Sequence, residues 1–184
     1  MNIALNVDDE IKHFIDTLEI YAYGNICNSS EILQYMIINQ IDNNYNKYII
    51  IDLELVVSYY HLFIAMYKSY FNKLHNNMKT KFYLSEVIYQ LSSMTKINES
   101  LELYKLKLES NMIAIIILEK DEIITSLLSM IQGDILNIRD ISNSKYLHQI
   151  RTNNLIQHYR ILPKELEIGS LEDAIITKIA TKDI

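Results

Sequence analysis

The sequence predicts a single α/β (α+β) domain in which a small mixed sheet is flanked by several helices. Two kinds of segment alternate along its 184 residues. Short runs of β-branched and aromatic residues favour strands, and longer segments with apolar residues three and four positions apart favour helices. No repeat, low-complexity tract or linker divides the chain. An apolar fraction of 49% with 22% charged residues is typical of a globular domain with a buried core.

The first predicted elements are two strands separated by one helix. Residues 20–23 form the first short strand. Ser29 or Ser30 then offers a side-chain oxygen that can cap a helix running to about Met36. An asparagine-rich loop follows, and the β-branched run 48–51 predicts a central strand.

The next predicted helix follows Ser58, whose hydroxyl is placed to cap its first turn. Apolar residues of this helix recur at helical spacing and form one stripe: Leu62, Phe63, Met66, Tyr67, Tyr70 and Leu74. The polar sequence 75–77 (HNN) ends the helix.

Two short helices, one strand and one capped helix are predicted in the middle of the chain. The short helices cover about 84–91 and 98–106. The strand 112–118 is the longest uninterrupted apolar run in the sequence, which indicates a buried position. Asp121 can cap the following helix, and Gly133 suits a left-handed cap at its C-terminal end.

The C-terminal third is predicted to contain two helices. The first covers 146–159 with a break near Asn153 and Asn154. Leu162 and Pro163 then indicate a turn. The last helix covers about 169–180.

Composition and charge exclude several classes of protein. A formal net charge of −6 argues against nucleic-acid binding through general basicity, although a local basic strip is compatible with it. The single cysteine, Cys27, cannot form an internal disulfide, which fits a reducing compartment. The N-terminus lacks the basic start and apolar run of a signal peptide. No apolar run approaches the ~20 residues that span a bilayer. We therefore expect a cytoplasmic and nuclear protein.

The sequence offers no pattern typical of an active site. Only three glycines occur, so glycine-rich loops that bind nucleotide phosphates are absent. The five histidines and Cys27 show no spacing typical of a metal site or of a nucleophile with its base. Glu119, Asp121 and Glu122 form an acidic group, but a helix N-terminus attracts acids for electrostatic reasons alone. We therefore predict no catalytic residue, no metal and no cofactor, and a protein that is not an enzyme.

Two separated groups of motifs resemble one known family. The first group is MKTK at 78–81, SEVI at 85–88 and INESL at 97–101. The second is IGSLEDAII at 168–176 and TKDI at 181–184. Both resemble the PRPK-binding protein family, the small subunit of the KEOPS (EKC) complex. The resemblance covers about residues 20–184, so we predict a PRPK-binding domain at 19–184 preceded by an N-terminal extension at 1–18.

The resemblance implies a function that composition and spacing do not reveal. Members of this family bind the PRPK-like kinase-ATPase of KEOPS, the assembly that makes threonylcarbamoyladenosine beside the anticodon of tRNA. They contact other KEOPS subunits indirectly, and some relatives bind tRNA. The resemblance therefore implies a non-catalytic binding subunit. Two alternatives stay open: a small-molecule-binding or enzymatic α/β domain with a scattered site, and a homo-oligomeric scaffold.

Three lysines are predicted to bind tRNA. Lys79 and Lys81 flank Thr80 in the MKTK loop, and Lys73 lies one turn before the end of the preceding helix. Such a cluster in an acidic protein is either a local phosphate-binding strip or ordinary solvent-exposed charge.

Two apolar stripes are predicted to bind the kinase. The terminal helix carries Leu171, Ile175 and Ile179 at steps of four residues, and the short helix after MKTK carries Val87, Ile88 and Leu91. If these side chains form an exposed patch, an arginine at Ile88 or Ile175 should leave the chain folded and remove kinase binding. The alternative is that the terminal helix lies deep in the core.

Overall fold

The centre of the protein is a four-stranded antiparallel sheet with the strand order β2-β3-β1-β4. The computed structural model describes residues 7–41, 45–142 and 149–182. The strands are β1 (Glu19–Gly24), β2 (Tyr48–Asp52), β3 (Met112–Ile117) and β4 (Asp134–Leu136). The helices of the described residues are α1 (Val7–Asp16), α2 (Ser29–Ile38), α3 (Tyr59–Leu74), α4 (Tyr83–Leu91), α5 (Ile97–Leu103), α6 (Glu122–Met130), α7 (Gln149–Tyr159), α8 (Pro163–Ile168) and α9 (Leu171–Thr181).

Helices cover both faces of the sheet, and this explains why β3 is apolar at every position. Side chains alternate between the two faces of a strand. Ala114 and Ile116 therefore pack with α1, α3 and α4 in one buried cluster, whereas Ile113 and Ile115 pack with α2 and α6 in another. A strand covered on both faces needs a continuous apolar run.

A third layer of helices covers the outer side of α3. Leu155 and Tyr159 of α7 pack with Ile175 and Ile179 of α9. The same buried cluster contains Val57, which precedes the N-cap of α3. The order of layers is thus α2 with α6, the sheet, α1 with α3 and α4, and finally α7 with α9. Helix α4 consequently lies in the interior, and all nine of its residues are buried.

The fold class predicted from the sequence is confirmed, with one correction to the sheet. The sequence predicted a mixed sheet, but each described strand pair is antiparallel. Strands β1 and β2 do run in the same direction with α2 between them. However, β3 inserts between these two strands and pairs antiparallel with both. Insertion of a strand from far along the chain is not visible in local patterns.

Two of the predicted helix caps are confirmed and two are wrong. Ser58 accepts a hydrogen bond from the His61 N–H, and Asp121 accepts one from the Ile124 N–H at 3.0 Å. Helix α2 instead begins after Asn28 and has no side-chain cap, and the Ser29 hydroxyl donates to the distant Ser110 carbonyl at 3.1 Å. Gly133 is not left-handed. A Cβ at that position would lie 2.8 Å from the Gly24 carbonyl, so close approach to β1 explains the glycine.

The C-terminal third differs from the prediction at two points. Helix α7 is continuous through Asn153 and Asn154, and the Asn154 side chain donates to Glu54 Oε1 at 2.9 Å. Pro163 begins the short helix α8 rather than a simple turn, since the first helical turn does not need the proline N–H. The predicted helix start at 146–148 and the last residues of the TKDI motif lie outside the described residues.

Strand β4 and helix α1 are among the elements that the sequence analysis did not predict. Strand β4 is only three residues long. Helix α1 lies in the segment predicted as an N-terminal extension, and its Ile11 and Ile15 are buried in the core. No helix among the described residues is long and apolar enough to cross a membrane.

Candidate functional site

The three lysines predicted to bind tRNA lie at one end of the α3–α4 pair. Lys73 is in the last turn of α3, and Lys79 and Lys81 are in the loop that joins α3 to α4. All three side chains are exposed. The Lys73 Nζ lies 5.9 Å from the ring centroid of Tyr83, which follows Lys81 by two residues. The structure thus brings the predicted lysines to the same region of the surface.

An aromatic cluster next to Lys73 gives this lysine a structural role as well. Phe14 of α1 stacks on Tyr70 of α3 with ring centroids 4.0 Å apart, and Tyr83 of α4 meets Phe14 edge-on at 5.1 Å. The Lys73 Nζ lies 5.4 Å from the ring centroids of both Phe14 and Tyr70, within cation–π range. Lys73 therefore helps to hold α1 on α3.

One buried carboxylate, that of Glu86 in the first turn of α4, holds the loop before this helix. Its Oε2 accepts hydrogen bonds from the N–H groups of Lys79 and Thr80, both at 2.9 Å, and from the Thr80 hydroxyl at 3.0 Å. Its Oε1 accepts from the side-chain amides of Asn72 at 3.3 Å and Gln90 at 2.8 Å. Five hydrogen bonds to one carboxylate fix the backbone from which Lys79 projects.

The residues of α4 predicted to bind the kinase lie inside the core. Val87 and Leu91 are fully buried, and Ile88 is only 3% exposed. They pack in the cluster that α3 and α4 form with the sheet. The prediction that these side chains form an exposed patch is therefore wrong, because α4 is enclosed by neighbouring elements on all its sides.

The predicted residues of α9 are also largely interior. Ile175 and Ile179 are fully buried in the cluster between α9 and α7, and Leu171 is partly buried against that cluster. The alternative stated from the sequence, a terminal helix that lies in the core, describes α9. Whether these residues take part in kinase binding stays a prediction, and their burial limits them to supporting a surface formed by others.

The acidic group and the cysteine considered as catalytic residues have structural surroundings. Lys47 forms ion pairs with Glu119 at 3.2 Å and with Asp121 at 3.4 Å, and Asp121 also caps α6. Cys27 is exposed, and its Sγ donates to the Gln132 carbonyl at 3.5 Å. Within the described residues, no three His, Cys, Asp or Glu side chains are grouped so as to hold a metal ion.

A cavity of about 440 Å³ contains the arrangement closest to a nucleophile with a base. Ser110 Oγ donates to Asp52 Oδ2 at 2.5 Å and accepts from the Lys107 N–H at 2.9 Å. Burial raises the pKa of Asp52. Of the described residues that line this cavity, none is a histidine. The Ser110 hydroxyl thus closes the turn before β3 and joins that turn to the end of β2, so the pair is explained as part of the fold.

Comparison with known proteins identifies the family of this chain. A family model described as "Kinase binding protein CGI-121" matches residues 23–183, from the end of β1 through α9. The chain belongs to the CGI-121 family. The resemblance seen in the sequence motifs is thereby confirmed. Among curated proteins, the chain is similar to the EKC/KEOPS complex subunit TPRKB of Danio rerio, with 22% identity over 183 residues and 98% of each chain covered.

The CGI-121 match contains the loop with Lys79 and Lys81 and both helices predicted to bind the kinase, but α1 precedes it. The alignment with the Danio rerio protein covers 98% of the chain and so extends into the N-terminal segment. The boundary between residues 18 and 19 stays a prediction. In the structure, α1 packs on α3 through Phe14 and Tyr70 and is part of the same core.

Proposed function

We propose that this chain is a non-catalytic subunit of a KEOPS/EKC complex, which binds a PRPK-like kinase-ATPase and supports threonylcarbamoyladenosine modification of tRNA next to the anticodon. The observation that carries this proposal is the CGI-121 match over residues 23–183. The name of the Danio rerio relative, an EKC/KEOPS complex subunit, supports the proposed membership of that complex. A location in the cytoplasm and nucleus belongs to the same proposal. Co-purification with the PRPK-like kinase of the same organism tests it.

The kinase surface in this proposal lies next to the buried stripe of α9. Three apolar side chains at α8 are exposed: Leu162 (60%), Leu166 (39%) and Ile168 (90%). Leu162 directly precedes the first residue of α8, and Leu166 and Ile168 lie within the helix. Helix α8 is tied to α9 by an ion pair of 3.1 Å between Glu165 and Lys178. Exposed apolar groups on a fixed helix are typical of protein–protein contact surfaces.

An arginine at Ile168 is expected to leave the chain folded and to weaken kinase binding about thirtyfold or more, which corresponds to a hot-spot loss of about 2 kcal/mol. Ile168 is 90% exposed, so the new charge stays in water in the free subunit and is buried only in the complex. The measurement is binding of purified kinase by the variant and by wild type. Ile37→Arg is the matched control, because Ile37 is 74% exposed on α2, which packs on the other face of the sheet. Equal kinase binding by both variants would place the interface elsewhere.

Holding of tRNA by Lys79 and Lys81 is the second part of the proposal. Both side chains are exposed on a loop whose backbone Glu86 fixes. The double substitution Lys79→Glu with Lys81→Glu is expected to weaken tRNA binding by the subunit or its complex. The slope of log affinity against log salt should become shallower by roughly 0.7–0.9 for each phosphate that these lysines no longer neutralise.

A matched control for this experiment exists within the chain. Lys105 and Lys107 are also separated by one residue, and Lys105→Glu with Lys107→Glu makes the same change in net charge away from the loop. The two double variants are compared over a salt series. If both bind tRNA equally well, Lys79 and Lys81 are ordinary solvent-exposed charges and do not belong to the tRNA site.

A further inference from the structure

A cavity of about 450 Å³ lies where the segment after α4 meets the ends of α7 and α9. Four cationic side chains and one carboxylate line it: Lys96, Arg160, Lys178, Lys182 and Glu99. Such an excess of positive charge is unexpected in a chain with a net charge of −6. The volume lies within the range of about 300–1,000 Å³ that is typical of small-ligand sites.

The four cationic side chains of this cavity differ in whether they already form hydrogen bonds or ion pairs within the protein. Lys96 forms an ion pair with Glu99 at 2.6 Å, and Lys178 forms one with Glu165 at 3.1 Å. Lys182 donates to the Ser92 carbonyl at 3.0 Å. The guanidinium of Arg160 forms no hydrogen bond or ion pair with any residue that the structure describes. Exposed ion pairs such as that of Lys96 are weak, so a ligand can compete for the lysine.

Arg160 occupies a backbone position that favours glycine. It follows α7 with φ of 52°, in the left-handed region. Its N–H donates to the Gln157 carbonyl at 3.2 Å, and the Ile161 N–H donates to the Ile156 carbonyl at 2.9 Å. These two hydrogen bonds define a Schellman motif, in which glycine is preferred because it has no Cβ. A long side chain at a strained position is a reason to seek a function for that side chain.

A second polar group at the same cavity has no partner in the part of the chain that the structure describes. The Nε2 atom of His158 is shielded from solvent and makes no hydrogen bond within the described residues, and His158 lines the cavity two residues before Arg160. Buried polar atoms in native proteins nearly always have a hydrogen-bond partner. The end of α7 therefore places two groups without partners among the described residues beside one cationic cavity, the exposed guanidinium of Arg160 and the shielded His158 Nε2.

We propose that this cavity binds a phosphate group. The planar guanidinium of Arg160 can donate to two phosphate oxygens at once, and Lys96 and Lys178 add positive charge. The phosphate is either a free anion or a phosphodiester of RNA, since both present the same oxygens. This site goes beyond the proposed function, because it lies near the C-terminal end of α4, whereas Lys79 and Lys81 precede its N-terminal end.

The sharpest test is the substitution Arg160→Gly. It removes the cation and also relieves the left-handed backbone, so the variant should be at least as thermally stable as wild type. Loss of charge-assisted hydrogen bonds should weaken phosphate binding by about ten- to a hundredfold. Lys96→Gln should weaken it to a smaller extent. Lys120→Gln is the control, since it removes one positive charge from a residue that does not line this cavity.

Inorganic phosphate and a short single-stranded RNA are titrated separately into the full chain, with the NMR shifts of His158, which is present in every variant, as the readout. Binding of phosphate that Arg160→Gly abolishes and Lys120→Gln retains supports a site for the free anion. Binding of RNA alone, with the same dependence on Arg160, supports a site for an RNA phosphate. The proposal is overturned if neither phosphate nor RNA binds, or if wild type and Arg160→Gly bind equally well. The Lys79→Glu, Lys81→Glu variant should retain phosphate binding, so this result is independent of the tRNA proposal.

Discussion

Arginine at Ile88 or at Ile175 is expected to unfold the protein. Ile175 is fully buried between α9 and α7, and Ile88 is 3% exposed between α4 and the sheet. Among the described residues, the clusters around both positions are apolar, and an unpaired buried charge costs several kcal/mol. Overpacking adds to that loss. Because domains of this size are stable by only about 5–15 kcal/mol, either variant should lose most of its folded population.

Thermal unfolding followed by circular dichroism, with size-exclusion chromatography of the same samples, measures this effect. Ile168→Arg is the control, because it introduces the same charge at an exposed isoleucine only seven residues from Ile175. A variant at Ile88 or Ile175 that stays monomeric with a wild-type melting temperature would show that its helix has an open side. That outcome would restore the exposed patch predicted from the sequence.

Local signals in the sequence predicted much of the fold. The caps at Ser58 and Asp121 could be recognised because a capping side chain bonds to an N–H three residues away. Strand β3 could be recognised because it is covered on both faces and therefore apolar throughout. Such features depend on neighbouring residues alone.

The arrangement of layers could not be predicted in this way. The apolar stripe of α9 fits a helix that is covered on one side or on both, and only the position of α7 shows that Ile175 and Ile179 are enclosed. The same holds for Arg151, which is almost fully buried and donates to the carbonyls of Leu53 at 3.0 Å and Ile141 at 3.1 Å. Contacts between residues so far apart in the chain leave no periodic pattern.

The lysines of the candidate site were predicted, but the residue that positions them was not. In the sequence, Lys79 and Lys81 can be recognised as charged residues of a loop. Glu86 lies in a largely apolar helix, and the sequence does not show which groups donate hydrogen bonds to it. Only one sequence signal was available: Glu86 is a charged residue between Ser85 and Val87 in a nine-residue helix that is otherwise uncharged. In the structure its carboxylate joins Asn72 of α3 to the loop backbone at Thr80.

Replacement of Glu86 by glutamine is expected to destabilise the protein by about 3 kcal/mol and to release the loop before α4. The carboxylate accepts five hydrogen bonds and donates none, whereas glutamine has one acceptor oxygen and one NH₂ group. If that NH₂ faces the loop, it opposes the N–H groups of Lys79 and Thr80. If it faces the helices, it opposes the amides of Asn72 and Gln90. Either orientation leaves two donors without an acceptor, part-buried ones in the loop or buried ones in the helices, and each buried donor costs about 1–3 kcal/mol.

Hydrogen exchange at the Lys79 and Thr80 amides, measured together with the free energy of unfolding, tests this expectation. Exchange at these two positions should accelerate more than exchange in β3, because the loop loses its acceptor while the sheet is unchanged. Glu122→Gln is the matched control, since Glu122 also lies in the first turn of a helix but is exposed. Under the tRNA proposal, Glu86→Gln should also weaken tRNA binding although both lysines remain, because the backbone that orients them is no longer fixed. Stability and exchange equal to those of Glu122→Gln would show that Asn72, Gln90 and the loop find other partners and that the lysines do not depend on Glu86.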